Sequence, residues 1–288
     1  MLGALLLVAG SMHAQEAFRC QDCPEWNVTH EPFRVYGNTY YVGVRGLSSI
    51  LITSAKGHVL IDGALPESAP KIAAAIRALG FRMEDVKLIV NSHAHFDHAG
   101  GIAELKRLSG ARVVAMEASA RVLRSGRSGA EDPQYGALPP FPRVANVEVL
   151  KGGETLRVGP IAVTAHTTGG HTQGGTSWTW KSCEQLRCVD MVYADSLTPV
   201  SAAGFRFTAS REYPGAVENF EKSFAAIEAL PCDILLTPHP DASDLWGRVT
   251  KRTSAGSHDP LIDATACRRY VAGARQKLAT RLADEQIR

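Results

Sequence analysis

Asn91-Ser92-His93-Ala94-His95-Phe96-Asp97-His98-Ala99-Gly100-Gly101 sets three imidazoles and a carboxylate within six residues. The short apolar run Val86 to Val90 precedes it, and apolar residues at helical spacing follow from about Ile102 to Leu108. A buried strand feeding a loop and then a helix can turn all four side chains toward one point. The chemistry suits zinc, which takes neutral imidazole nitrogen and carboxylate oxygen at about 2.0 to 2.2 Å. Four donors are more than one tetrahedral site can use while keeping a position for water, so the cluster calls for a second ion. Crowded imidazoles are costly unless a cation neutralises them. Isolated His13, His30, His58, His166 and His258 read instead as solvated or packed side chains. A closed structural zinc site would use a cysteine-rich shell, which this string lacks.

Two more histidines have fitting contexts further along. His171 lies in Thr168-Gly169-Gly170-His171-Thr172-Gln173-Gly174-Gly175, where glycines allow close backbone approach. His239 follows the apolar run Asp233 to Leu236 through Thr237-Pro238. With the loop they make six ligands, enough for two three-ligand zinc sites.

Around these motifs, Arg34 to Tyr36, Thr39 to Val44, Ser49 to Thr53 and His58 to Ile61 read as a β meander with turns at Gly37-Asn38 and Lys56-Gly57. A helix is expected from Ser68 to Leu79 and a strand from Arg112 to Ala115. The second half repeats this order with strands at Val147 to Leu150, Ile161 to Ala165, Thr176 to Trp180 and Met191 to Ala194. A helix from Gly215 to Leu230, a strand to Leu236 and a helix from Asp263 to Asp284 follow. The stretch Gly126 to Pro142, rich in glycine and proline, is a loop between the halves. Two β-then-α halves imply an α/β fold of two facing sheets with helices outside, as a single domain over residues 15–288.

With 45% hydrophobic residues the chain can bury a full core, and a formal charge of +2 without a basic block points to no nucleic acid and no stable membrane association. Residues 1–14 read as a signal peptide, with the apolar run Leu2 to Gly10 and a cut near Ala14. Six cysteines suit an oxidising, periplasmic or secreted location. Cys183 and Cys188 bracket a polar stretch that a bond would staple as a hairpin loop, and a Cys232 bond to Cys267 would pin the C-terminal helix. Cys20 and Cys23 lack a second CxxC and a following βαβ unit, which disfavours a zinc knuckle or redox pair.

In chain order the HxHxDH string, the His171 glycine segment, Ala194-Asp195-Ser196-Leu197 and Thr237-Pro238-His239-Pro240 resemble the metallo-β-lactamase superfamily, from about Phe33 to the C-terminus. The resemblance implies an αββα four-layer sandwich. Val35 to Thr39, Asp132-Pro133-Gln134, Thr176 to Trp180 with Ser182-Cys183-Glu184, and Cys267-Arg268 are similar to the third subclass of class B β-lactamases, secreted enzymes with two zinc ions. Carried over, this assigns His93, His95 and His171 to one zinc and Asp97, His98 and His239 to the other. The resemblance puts Ser196 where many superfamily hydrolases have a metal-bridging aspartate and another β-lactamase subclass a cysteine, and Ser196 is expected to face the site in preference to Asp195.

The implied activity is hydrolysis of the β-lactam amide of penicillins, cephalosporins and carbapenems by metal-activated water, giving antibiotic resistance. Asp97 would orient the nucleophile, Ser196 and Thr198 would bind the substrate carboxylate, and Gln134 would line the pocket. Asp62 is either a support for a ligand imidazole or an ordinary turn aspartate. Some relatives pair an early cysteine with one in the strand that here reads Val42-Gly43-Val44-Arg45-Gly46, so Cys20 and Cys23 bond each other or stay unpaired. A monomer acting on a small molecule is expected. The alternatives are a lactone or thioester hydrolase of the same fold and a non-catalytic periplasmic zinc-binding protein.

Overall fold

A computed structural model describes residues 20–252 and 259–287. The signal peptide expected over residues 1–14, with His13 and His258, lies outside the described residues.

After the short helix α1 (Cys23–Trp26), strands β1 (Phe33–Tyr36), β2 (Thr39–Tyr41), β3 (Ile50–Ile52) and β4 (His58–Ile61) form the expected antiparallel meander. Helix α2 (Ala69–Ala78) then returns the chain to β5 (Val86–Val90), parallel to β4. The single turn α3 (Phe96–Ala99) and α4 (Ile102–Ser109) lead to β6 (Arg112–Met116), and α5 (Glu117–Ser125) precedes β7 (Val147–Leu150). Strands β6 and β7 continue the parallel run, giving a seven-stranded sheet in chain order. The second sheet has β8 (Thr155–Val158), β9 (Ile161–Thr167), β10 (Thr176–Glu184) and β11 (Arg187–Tyr193), antiparallel in succession. After α6 (Ala216–Ala229), β12 (Ile234–Leu236) adds parallel to β11, and α7 (Leu245–Arg252) and α8 (Ala266–Ile287) close the chain.

Strand β5 explains the layering. Val86 and Ile89 pack with Ile72, Ile76 and Leu105 beneath the helices, whereas Leu88 and Val90 meet Val163, Trp178 and Met191 of the other sheet. Apart from the exposed Lys87, the strand is apolar on both faces because each packs against another layer. A third apolar layer, with Phe220, Phe224, Val271 and Leu278, lies between the second sheet and α6 and α8. The order is therefore helix, sheet, sheet, helix, the αββα sandwich.

The structure departs from the sequence reading in detail. Val147 to Leu150 joins the first sheet by pairing with β6, so the 126–142 loop does not divide the two sheets. Strands β10 and β11 extend through the Cys183–Cys188 pair, and the turn shrinks to Gln185-Leu186. Asp263 stands ahead of α8, its carboxylate accepting the Thr265 N–H at 2.9 Å in a turn that leads into the helix. Elements α1, α5, α7 and β8 had no expectation, their apolar patterns being too short to stand out. Disulfides join Cys20 to Cys23, Cys183 to Cys188 and Cys232 to Cys267. No helix among the described residues is long and apolar enough to cross a membrane.

Candidate metal centre

The loops that follow β5, β9, β11 and β12 converge, and each leaves the C-terminal end of its strand, where α/β sheets open into crevices. The first loop is held from behind at every step. The Asn91 carbonyl accepts the Trp178 indole N–H at 3.0 Å, and the Ser92 carbonyl accepts the Thr176 N–H at 2.8 Å. Asp62 receives the Ser92 N–H, the Ser92 hydroxyl and the Tyr193 hydroxyl, each at 2.7 Å. Asp62 thus supports the backbone from which His93 projects, and the Ser92 hydroxyl it holds lies 3.5 Å from His93 Nδ1, so its support of that imidazole is indirect. Burial pushes its carboxyl up to about 6, against the lowering effect of His98 and these donors.

The ligand atoms of His93, His95 and His171 lie within 4.8 Å of one another, as do those of His93, Asp97 and His98. Asp97 Oδ2 is 3.3 Å from His98 Nε2 and 3.4 Å from His239 Nε2, which brings His239 into the second group. His171 depends on glycine. Gly170 has φ +127°, and a Cβ on Gly175 would stand 2.5 Å from Asp195 Oδ2 and 2.4 Å from the Thr168 carbonyl.

Three of the six side chains are oriented from the rear. His93 Nδ1 donates to Asp195 Oδ1 at 2.7 Å, His95 Nε2 to Asp132 Oδ2 at 2.8 Å, and His171 Nδ1 to the Thr198 carbonyl at 2.8 Å. Those bonds leave His93 Nε2, His95 Nδ1 and His171 Nε2 to face the common space, with the Gln134 amide 3.4 Å from His95 Nδ1. His93 Nε2 and both ring nitrogens of His98 are buried and have no hydrogen-bond partner among the described residues.

The electrostatics of that space divide: burial lowers His95 but the Asp132 carboxylate outweighs it and raises the ring, and burial pushes Asp195 up to about 7, whereas the other two rings of the group fall. Burial, reinforced by His98 and His95, holds His93 well below the usual imidazole range, and burial with His93 and His95 lowers His171 to about 3. Both rings are therefore neutral, with lone pairs available. Burial opposes ionisation of Asp97, yet His98 and His239 outweigh it and hold its carboxyl well below the usual range. The same contest, decided by His95, brings Asp132 down to about 2. Orphaned imidazole nitrogens around one carboxylate fit a divalent metal, because a coordinated cation satisfies lone pairs that no proton donor reaches.

A cavity of about 480 Å³ opens over the centre, lined by Trp26, Gln134, Ser196, Thr198 and the disulfide-bonded Cys20 among others. Ser196 faces this cavity, while the fully buried Asp195 turns behind His93. Sequence reasoning had singled out neither Asp132 as the partner of His95 nor Trp26, whose ring stands edge-on to His239 with centroids 5.1 Å apart. Asp132 was visible only as part of Asp132-Pro133-Gln134, and Trp26 carried no signal. His30 stacks on Trp246, the His58 ring accepts the Ser54 N–H and His166 meets Thr179, all away from the centre.

The profile of the metallo-beta-lactamase superfamily matches residues 42–239. Among solved structures, the Rm3 metallo-beta-lactamase superposes with a TM-score of 0.91 at 56% identity, over 93% of this chain and 99% of that one. MEM-A1, a subclass B3 metallo-beta-lactamase from a soil metagenome library, superposes with a TM-score of 0.89 at 55% identity, over 91% and 99% of the two chains. A hydroxyacylglutathione hydrolase of Methylococcus capsulatus is 27% identical over 169 residues, 58% of this chain. That match spans about half (52%) of the hydrolase's length. Fold, donor set and near-complete superposition agree: the chain belongs to the metallo-beta-lactamase superfamily, with subclass B3 metallo-beta-lactamases among its structural neighbours.

Proposed function

We propose that this protein is a zinc-dependent hydrolase of the β-lactam amide bond, acting on penicillins, cephalosporins and carbapenems and conferring resistance to them. His93, His95 and His171 would hold one zinc ion, and Asp97, His98 and His239 a second. Bound zinc supplies a water whose pKa falls to about 7 and a Lewis acid for a carbonyl oxygen.

The observation that carries this reading is the pairing of Ser196 with Asp195. Asp195 is spent on His93 Nδ1, so the side chain that the segment offers to the cavity is a hydroxyl rather than a second carboxylate. A serine there can hydrogen-bond a substrate carboxylate without repelling it. Thr198, two residues on, lines the same wall and would share that contact, while Gln134 lines the cavity beside His95. Asp97, held as a carboxylate against burial by His98 and His239, would accept a hydrogen bond from the attacking water and orient it. The 56% identity to the Rm3 metallo-beta-lactamase over nearly all of that chain supports the same substrate class.

Three disulfides among the described residues support a periplasmic or secreted location. A monomer suffices for this chemistry, since one chain supplies the six donor side chains. The second reading, thioester hydrolysis, draws support from the hydroxyacylglutathione hydrolase match.

The test is hydrolysis of a chromogenic cephalosporin and a carbapenem by purified protein, with chelator and then zinc add-back, beside an acyl-glutathione thioester. Lactam turnover that disappears on chelation and returns with zinc is the expected result. Thioester turnover without lactam turnover by the zinc-loaded protein would transfer the assignment to the second reading, and no turnover of either would favour a non-catalytic zinc-binding protein.

A further inference from the structure

The chain beyond β11 soon leaves the sheet. Ala194 still donates to the Leu236 carbonyl at 2.9 Å, but residues 195–198 have no regular secondary structure. Those same residues serve the centre three times: Asp195 holds His93, Ser196 lines the cavity and the Thr198 carbonyl holds His171. Backbone outside a ladder needs other partners to hold its peptide groups in place.

The Asp195 N–H finds such a partner in the Ser177 hydroxyl at 2.9 Å, and the peptide groups on either side of Ser196 find theirs in a hydroxyl on α8. Tyr270 donates to the Asp195 carbonyl at 2.9 Å and accepts the Leu197 N–H at 3.2 Å, bracketing Ser196 on both sides. Burial pushes the Tyr270 phenol well above its ordinary range, so the proton for that donation stays in place. One helical turn earlier, Cys267 is bonded to Cys232 just ahead of β12, which ties α8 to the sheet. Further along α8, Arg281 and Glu285 grip the far end of the same connection. Arg281 donates to Ser201 Oγ and the Phe205 carbonyl, and Glu285 accepts the N–H groups of Phe207 and Thr208.

We infer that Tyr270 is a positioning residue: its hydroxyl fixes the backbone on either side of Ser196 and thereby sets both the substrate-facing serine and the carboxylate behind His93. The substrate half of this inference rests on the β-lactamase reading; the half that concerns His93 rests on geometry alone.

Tyr270→Phe keeps the ring and removes the hydroxyl. The variant is expected to fold as the parent by near-ultraviolet circular dichroism, to raise KM for a chromogenic cephalosporin about tenfold, and to lower kcat less than about threefold. In chelator competition its zinc affinity should fall about fivefold, short of what is typical for losing a direct partner of a ligand. A Ser196→Ala background makes the path explicit. If the hydroxyl acts on substrate through Ser196, adding Tyr270→Phe to Ser196→Ala leaves KM where Ser196→Ala put it.

A folded Tyr270→Phe protein with parental KM and parental zinc affinity would overturn the inference, as would independent, multiplying KM effects in the double variant. Should the phenylalanine chain not fold, 4-fluorophenylalanine at position 270 fills the place of the hydroxyl with no proton to donate and only a feeble acceptor. A shift in the same direction is then expected, and no shift overturns the proposal. If the parent itself hydrolysed no β-lactam, the hydrolase reading would fail by itself, and zinc affinity would still decide the role of Tyr270.

Discussion

The two halves of the metal centre are built differently. Every member of the His93, His95, His171 group has a hydrogen-bond partner behind it, two carboxylates and a backbone carbonyl, and all three rings are buried. In the Asp97, His98, His239 group, His98 has no hydrogen-bond partner for either nitrogen among the described residues. The His239 side chain is 32% exposed and rests against Trp26. A rear partner fixes an imidazole's tautomer and raises its basicity, so a site that has three should bind metal more tightly than one built without them. The first group is thus framed from behind at every ring and the second less fully, while members of both line the cavity.

Several measurements can break or sharpen that contrast. The largest effect is expected from Asp97→Ala, which removes the single carboxylate of the second group. On the proposed two-zinc reading, metal analysis should find one zinc per chain in place of two, with kcat/KM down about a thousandfold. A variant that kept two zinc ions and parental turnover would show the grouping to be mistaken. Next comes Asp195→Asn, which replaces the carboxyl group behind His93 by an amide of the same size. Zinc affinity of the first group, read by chelator competition, should drop about 10- to 100-fold.

Graded chelation of the unaltered protein should release zinc in two steps, with the loosely framed second group emptying first; simultaneous release would erase the proposed difference. Trp26→Ala should loosen only His239, weakening the second zinc about three- to tenfold with the first unchanged. The smallest effect belongs to a control remote from both groups. Replacing Cys183 and Cys188 together by Ala should lower Tm by a few degrees, on the order of 2 kcal/mol, and leave metal content and turnover alone.

Much of this was legible in the chain. Val86 to Val90 reads as a buried strand because four of its five residues are apolar, the exception being the exposed Lys87. The HxHxDH string declares itself because crowding imidazoles beside a carboxylate makes physical sense only around a cation. Strand β8 and helices α5 and α7 were missed because short segments carry too few periods for their pattern to rise above composition. Val147 to Leu150 was recognisable as a strand, yet its sheet depended on pairing with β6, a choice between edges that local sequence does not encode.

The sequence by itself determined the residue types and spacing of the donors, the alternation of β and α, and the cysteines available to bond. Only the tertiary structure decided how those donors are held. Asp132 meets His95 across 37 positions, Asp195 meets His93 across 102, and the Tyr270 hydroxyl reaches the Asp195 carbonyl across 75. The Thr198 carbonyl that orients His171 belongs to the backbone and leaves no trace in residue type. Ligand identity is local chemistry and can be read along the chain, whereas ligand orientation comes from hydrogen bonds between distant segments that exist only once the sheets and α8 have packed.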